Sequence, residues 1–495
     1  MIEVICRDSY DSYDAYHITA AFYPSEVAAG EIRQSLNSSA ASAVRVMRDE
    51  EEIFSYQGPH SDSEDEDRRR EEKIRMGQAL YRRLSELTGK KLPWGLLTGI
   101  RPTKIARRLL EEGYSETECL EKFRERYLVS DKKAETAVEI ARREMGYLDR
   151  AREHGSETAA EGLTESADGL CVYVHIPFCP SRCRYCSFAS MPADRYADQM
   201  EPYLNALERE IRTIGEQVAD RPVTAVYVGG GTPTSLTTGQ LERLCGLLIE
   251  VFGRGSVPSH GWLEWTIEAG RPDTLNADKL SVMKKAGVTR ISVNPQTMHD
   301  ETLERIGRGH TVQDVRSAVK KAREAGFETI NMDLIAGLEG ESPEDFEETL
   351  HRLEELHPDH LTVHALAIKR ASLLGQEHTG LYAAEDAVSR MIETAGSWAK
   401  SRGLEPYYMY RQKNISGNAE NIGYAPPGEG SYYNILIMEE EQDILAFGEG
   451  AVSKFLDKKD GRLIHIRRVE NVKDVKLYIQ QIDEMIQRKE RQYAN

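Results

Sequence analysis

Cys179, Cys183 and Cys186 fall within eight residues, in the text HIPFCPSRCRYCSF, at the spacing C-x3-C-x2-C. Thiolates are soft ligands, suited to iron–sulfur clusters or to zinc. Structural zinc asks for four ligands. Only three cysteines crowd here, and the nearest histidine, His175, lies upstream on strand-like text rather than in a second knuckle. A [4Fe–4S] cluster held by three cysteines leaves one iron without a protein ligand, which is where a cosubstrate can bind. Pro180 and Ser181 keep the segment turning, so three sulfurs can converge. A cluster therefore fits better than zinc. The other four cysteines, Cys6, Cys119, Cys171 and Cys245, are scattered and read as small core residues. An odd total of seven is a poor disulfide framework.

The cysteines need a scaffold, and the text around them supplies one. Cys171–Ile176 is β-branched and aromatic, and strand-like runs recur at Thr224–Val228, Trp265–Glu268, Arg290–Val293, Thr329–Ile335 and Leu361–Ala365. Between them lie amphipathic stretches at Asp198–Glu216, Thr238–Phe252, Ala277–Ala286, Val312–Ala325 and Glu344–Leu356. Regular alternation of strand and helix is the mark of parallel βα units. An open doubly wound sheet and a β/α barrel both satisfy it. In either fold, ligands bind at the C-terminal ends of the strands. Polar and glycine-rich text gathers at those ends: Gly229-Gly230-Gly231-Thr232 after the second strand, Glu268 closing the third, Gln296 past the fourth, Arg308 opening the next helical stretch, and Asp333 on the fifth. Glycines let backbone approach a ligand and leave its N–H and C=O groups to bond it.

Three regions are expected. Residues 1–165 read as an α+β accessory domain with a linker: a small mixed unit to about residue 60, the charge run Ser61–Glu72, helical text from Ile74 to about Asp149, and a polar linker at 154–169. Leu92–Lys104 reads as an ordered loop between helices. Residues 166–370 carry the βα units. Residues 371–495 form a mixed tail, with strand-like Tyr433–Met438 and a final helix around Val472–Arg488.

The chain of 495 residues is 40% hydrophobic and 29% charged, with a net charge of −18. That is the composition of a globular protein, and its sign argues against general nucleic-acid binding. No targeting or membrane-spanning text is visible, so no membrane partner and a cytoplasmic location are expected.

The motif resembles that of the radical S-adenosylmethionine (SAM) superfamily. Tyr173-Val174-His175-Ile176-Pro177-Phe178-Cys179 and Arg184-Tyr185-Cys186 narrow the likeness to the oxygen-independent coproporphyrinogen III oxidase family. The N-terminal extension, His364–Ser372 and Tyr408–Ile415 resemble its HemZ-type branch most. The resemblance implies a partial (β/α)6 barrel within an α/β protein, a [4Fe–4S] cluster on Cys179, Cys183 and Cys186, and SAM. It implies SAM contacts from Tyr173, Tyr185, Gly230, Gly231, Thr232, Glu268, Gln296, Arg308 and Asp333, and a catalytic place for His175. Phe188 departs from the pattern, since some authentic oxidases carry a fourth cysteine there.

The implied reaction converts coproporphyrinogen III propionates to vinyl groups through a 5′-deoxyadenosyl radical, with electrons from a reducing donor protein. Lys369, Arg370, Arg411, Lys413 and Arg271 are candidates to pair with propionates, and Tyr407, Tyr408 and Tyr410 to wall a flat macrocycle. Haem-binding chaperones belong to the same family. They share a cysteine motif ending in Phe, but carry an H-N-x-x-Y-W motif; the nearest text here is Lys413-Asn414-Ile415. A radical SAM enzyme acting on another substrate is the third reading.

Overall fold

The computed structural model describes residues 1–39, 42–58, 66–98, 101–158, 169–188, 190–254, 260–368, 372–376, 385–411, 419–459 and 462–493. Lys369, Arg370, Lys413 and most of the polar linker fall outside them. The described residues divide into two compact units. The first draws on Met1–Arg142, His378–Glu385 and Tyr410–Glu420, the second on Arg143–Glu377, Asp386–Met409 and Asn421–Asn495.

In the first unit, strands β1 (Ile2–Cys6), β2 (Ile32–Leu36), β3 (Val44–Arg48) and β4 (Glu51–Tyr56) form one sheet in the order β2-β1-β3-β4. Helices Ser9–Phe22 and Glu66–Thr88 bury Ile18, Phe22, Met76, Leu80 and Leu84 in the same core as Val4 and Val46. The apolar run Ile18–Tyr23 is thus largely the end of a helix. Helices Pro102–Glu111, Glu116–Tyr127 and Asp131–Thr158 follow. The last of these runs five residues into the segment 154–169 expected as linker.

The second unit is built on one large sheet. Among the described residues its strands are β5 (Leu170–Ile176), β8 (Val223–Gly230), β9 (Glu264–Glu268), β10 (Arg290–Ser292), β11 (Thr329–Ala336), β12 (His360–Ala365), β13 (Glu405–Tyr410), β14 (Asn421–Ala425), β15 (Asp443–Phe447), β16 (Val452–Lys459) and β17 (Arg462–Glu470). Two short strands, β6 (Phe178–Cys179) and β7 (Met191–Pro192), pair separately. The sheet order is β13-β14-β12-β11-β10-β9-β8-β5-β15-β16-β17. Strands β5, β8, β9, β10, β11 and β12 are parallel and adjacent in chain order. A doubly wound sheet reverses its order at a switch point; this one does not, so the six strands are the partial (β/α)6 barrel. β15 adds a seventh parallel strand beside β5, while β14 and β16 turn antiparallel at either side.

The long crossover helices after the first open on a side-chain cap: Thr237, Asn276, Thr311 and Ser342 each accept from a backbone N–H in the first turn. The expected strand at Tyr433–Met438 is instead helix Tyr432–Glu439. Ser431 caps it by accepting from Asn434 N. Its residues were read as a strand because Tyr433, Ile435 and Leu436 are all buried, and continuous apolar text carries no period. The final helix breaks at Gln481 into Val475–Gln480 and Ile482–Glu490.

Candidate active site

The C-terminal ends of β5, β8, β9, β10 and β11 carry the candidate residues. After β5 the chain leaves through the cysteine loop. The loop is drawn shut at its base by the β6–β7 pair, where Met191 N donates to Pro177 O at 2.8 Å and Ala193 N to Cys179 O at 2.8 Å. All three cysteines are free and partly exposed. Burial pushes the Cys179 thiol up to about 11; the Thr232 hydroxyl, 3.4 Å from its Sγ, opposes that, and the neighbouring Cys183 and Cys186 add to it. Three partly exposed free thiols within eight residues of one loop supply the soft ligands that a metal cluster takes.

Arg271, a candidate for the substrate side, is instead buried against this loop. It donates to Ser181 O and Ser181 Oγ, both at 3.1 Å, lies 4.0 Å from Cys183 Sγ, and is held in turn by Asp273 at 3.2 Å. Ser181 Oγ donates to Gly307 O at 3.0 Å, and Arg184 N to Ile306 O at 3.0 Å. The loop is thereby laced to the segments following β9 and β10.

The glycine run of β8 behaves differently from the expectation. Gly231 N donates to Ile176 O and Thr232 N to Phe178 O, both at 2.8 Å. Those donors continue the pairing with β5 and are not left for a ligand. Gly230 has φ +107°, and a Cβ on it would lie 1.8 Å from Cδ2 of His175. Glycine is needed here because the His175 ring fills the space.

Tyr173 on β5 and Tyr227 on β8 are paired in register and stack at 6.2 Å; Tyr433 of helix Tyr432–Glu439 stacks on Tyr227 at 4.5 Å. Tyr227 Oη donates to Glu268 Oε1 at 2.5 Å. Burial pushes the Glu268 carboxyl up to about 7; Tyr227 and the Gly230 N–H favour its charge, and Asp333 opposes it. Asp333 goes the other way. Burial works against its charge, but His364, 3.8 Å away, and the Asn331 amide at 2.7 Å outweigh burial and hold it below the usual range.

Gln296 adopts the left-handed region at φ 70°, locked by its N–H on Asp333 O (2.9 Å) and its carbonyl on Ile335 N (3.0 Å). Such a conformation is uncommon for a residue other than glycine. The Gln296 side chain is buried and its Oε1 has no hydrogen-bond partner among the described residues. Arg308 donates to Tyr185 Oη at 3.1 Å, to Asn294 O at 3.0 Å and to Gly270 O. Its Nε, like Asn294 Oδ1, is buried without a partner. His175 is buried, with Nδ1 bonded to the Glu449 carbonyl.

The tyrosines proposed as a macrocycle wall lie elsewhere. Tyr407 is buried, 6.2 Å from His360, the first residue of β12, and so belongs to the opposite, N-terminal end of the parallel strands. Tyr408 is buried against Tyr407 at 4.8 Å. Arg411 belongs to the first unit, where it stacks over Trp94 at 5.3 Å and donates to Leu97 O and Ala419 O. Sequence reasoning missed Tyr227, Tyr433, Asn331 and His364. For Tyr227 a signal existed: it stands two residues before Gly229, on the strand whose end was already singled out.

A parallel barrel with a three-cysteine loop after its first strand defines a radical SAM protein, and the profile of the Radical SAM superfamily matches residues 173–353. Within that superfamily the chain belongs to the family that includes the HemZ, HemW and HemN proteins. It is 41% identical over 394 residues, 79% of this chain and 75% of the other, to the oxygen-independent coproporphyrinogen-III oxidase-like protein HemZ of Bacillus subtilis (strain 168). It is 33% identical over 285 residues, 56% of this chain and 69% of the other, to the heme chaperone HemW of the same organism. Among solved structures it is similar to coproporphyrinogen III oxidase HemN from Escherichia coli, with a TM-score of 0.53 and 26% identity, covering 65% of this chain and 71% of that one. Membership brings a [4Fe–4S] cluster and SAM as cofactors.

Proposed function

We propose that this chain is a radical SAM enzyme that converts propionate side chains of a porphyrinogen, coproporphyrinogen III, to vinyl groups by oxidative decarboxylation. The observation that carries it is the likeness to an oxidase-like protein over 79% of the chain, combined with buried polar atoms left without partners where a ligand would meet them. In this reading Cys179, Cys183 and Cys186 hold the cluster. Tyr173, Tyr185, Gly230, Gly231, Thr232, Glu268, Gln296, Arg308 and Asp333 form the SAM side, and His175 is the catalytic candidate.

The residues fit these groups. Three free, partly exposed thiols in one short loop suit a metal cluster, and Gln296 Oε1, Asn294 Oδ1 and Arg308 Nε need polar partners that SAM can supply. When bound, the two cofactors together supply one-electron cleavage of the SAM C5′–S bond and with it the power to remove hydrogen from carbon. The chain does the rest. Arg271 fixes the cysteine loop by gripping Ser181. Tyr227 and Gly230 aim the Glu268 carboxylate, and Asn331 and His364 keep Asp333 charged. A reducing partner protein delivers the electron.

A second reading, a haem chaperone, is favoured by the likeness to HemW and by Phe188, which stands exposed after the last cysteine. One anaerobic incubation separates the two. Reconstituted protein is mixed with coproporphyrinogen III, SAM and a strong reductant, and porphyrins and 5′-deoxyadenosine are quantified together. Vinylated product in step with 5′-deoxyadenosine is expected. 5′-Deoxyadenosine alone points to another substrate. Neither product, with stoichiometric haem binding, overturns the enzyme reading.

A further inference from the structure

The turn Gly448-Glu449-Gly450 follows β15, whose Phe447 pairs with Val174 of β5. It therefore lies directly beside His175. Both glycines have positive φ, +100° and +64°. A Cβ on Gly448 would lie 2.5 Å from Tyr203 Oη and 2.6 Å from His175 O, so the turn is closed tightly against β5. Tyr203 Oη donates to His175 O at 2.6 Å and accepts from Glu449 N at 3.1 Å. Gly448 N donates to Glu210 Oε2 at 3.0 Å, and Glu210 forms a fully buried ion pair with Lys489 at 2.5 Å. A backbone fixed this firmly places one side chain, Glu449, with no exposure at all.

Among the described residues neither carboxylate oxygen of Glu449 has a hydrogen-bond partner; His175 Nδ1 stands 3.4 Å from Oε2. A bare buried carboxyl is costly, so its presence calls for a reason. Nδ1 of His175 also meets the Glu449 carbonyl. A carbonyl can only accept, so Nδ1 carries the hydrogen and Nε2 is left as the acceptor. The only hydrogen bond of the His175 ring among the described residues is this one at Nδ1.

We propose that Glu449 is a positioning residue: through its carboxyl and its own carbonyl it holds Nδ1–H of His175, so that Nε2 offers a neutral acceptor to an N–H donor on the bound ligand. The electrostatics agree. Burial pushes His175 down to about 4, and pushes Glu449 up to about 7, where Asp474 adds to the rise and Lys473 opposes it. Tyr173 and Tyr203 are the other titratable groups that feel the Glu449 charge. A cationic imidazole would repel an ammonium or a pyrrole N–H; a neutral one accepts from either. The inference rests on the proposed function only in taking the ligand to be SAM or a porphyrinogen.

The first test needs neither cofactor. Protein labelled with 15N-histidine, free of cluster and SAM, is compared with Glu449→Ala and Glu449→Gln by NMR, the His175 signal being assigned with His175→Asn. The parent is expected to show a single Nδ1–H tautomer, Glu449→Ala, which keeps the carbonyl but loses the carboxyl 3.4 Å from Nδ1, to show a mixture of tautomers, and Glu449→Gln, which keeps a side-chain acceptor oxygen, to restore the single form. If alanine prevents folding, Glu449→Met fills the space without an acceptor and replaces it. An unchanged tautomer in the acceptor-free variant, or no rescue by glutamine, overturns the proposal.

The second test locates the donor on reconstituted protein with unchanged iron content. A loss in SAM affinity of about tenfold identifies the SAM ammonium, in keeping with one hydrogen bond to a charged group. A similar loss for coproporphyrinogen III alone identifies the macrocycle. Loss of neither overturns the acceptor role. The tautomer result stands or falls separately from whether vinylated product is ever formed.

Discussion

Strand β9 carries a glutamate at each end, and the two have different fates. Glu264, at the N-terminal end, is buried and satisfied: Thr266 Oγ1 donates to it at 2.6 Å, Ser431 Oγ at 2.9 Å and Tyr433 N at 3.4 Å. Those partners belong largely to the helix that closes that end of the barrel. Glu268, at the C-terminal end, has Tyr227 and the Gly230 N–H, is partly exposed, and is pushed up to about 7. Glu264 is completed by the protein itself, whereas the edge that bears Glu268 also holds Gln296 Oε1, Asn294 Oδ1 and Arg308 Nε, buried without a partner among the described residues. A fold keeps such groups where a ligand completes them.

The sharpest way to break this contrast uses the cysteines. Cys171 lies early on β5, fully buried, whereas Cys183 lies in the exposed loop beyond that strand's end. Cys183→Ser, purified without oxygen, is expected to lose essentially all its cluster iron and its broad visible absorbance. Cys171→Ser is expected to keep both. Iron assay and absorbance decide it, and a fully loaded Cys183→Ser removes the loop from the site.

The glutamates themselves come next. Glu268→Ala is expected to keep its iron and to bind SAM roughly 10- to 100-fold more weakly, the worth of a charge-assisted hydrogen bond. Glu264→Ala is expected to leave SAM affinity of the folded protein nearly unchanged and to lower stability by about 1–3 kcal/mol, because Ser431, Thr266 and Tyr433 N lose their acceptor. Equilibrium dialysis and urea unfolding measure the pair. Equal effects of both substitutions on SAM would erase the distinction between the two ends. A smaller step along the same line is Tyr227→Phe. It removes only the donor that aims Glu268, and SAM affinity should fall by about two- to tenfold, one neutral hydrogen bond's share.

Much of this contrast could be read in the residues. All six barrel strands and their crossover helices stand where alternating text placed them, because amphipathic periods survive in any fold of that class. The edge bearing Glu268, Gln296, Arg308 and Asp333 was legible for the same reason: strand ends in parallel folds face one way. What escaped depends on contacts between distant segments. Tyr433 was misread as strand text, and its place on Tyr227 follows from a helix capped by Ser431, which no local period announces. Arg411 stood in promising company with three tyrosines, yet Trp94, over three hundred positions earlier, claims its guanidinium. That Gly230 must be glycine because the ring of His175, on a neighbouring strand, fills the space beside it shows only once the strands are paired.

The smallest expected effect is also the most discriminating, since it sets two carboxylates of one edge against each other by sign. The Glu268 carboxyl is pushed up to about 7 from its ordinary 4.5, so across that window the unfolded chain has released a proton that the folded chain keeps. Stability therefore falls as pH rises from about 4.5 to 7. Asp333 lies below its ordinary 3.8, so its contribution is present above that value and is lost as pH falls through the lowered one. Glu268→Gln should accordingly flatten the decline in urea stability between pH 5 and pH 7. It will not abolish the decline, because Glu449 is also pushed up to about 7 and titrates in the same window. Asp333→Asn should lessen that slope only in part, by removing the charge that helps push Glu268 up, and should remove stability at every pH above 4. If Glu268→Gln and Asp333→Asn move stability near pH 7 in the same direction, then Asn331 and His364 do not hold Asp333 charged, and the division of labour along this edge has to be redrawn.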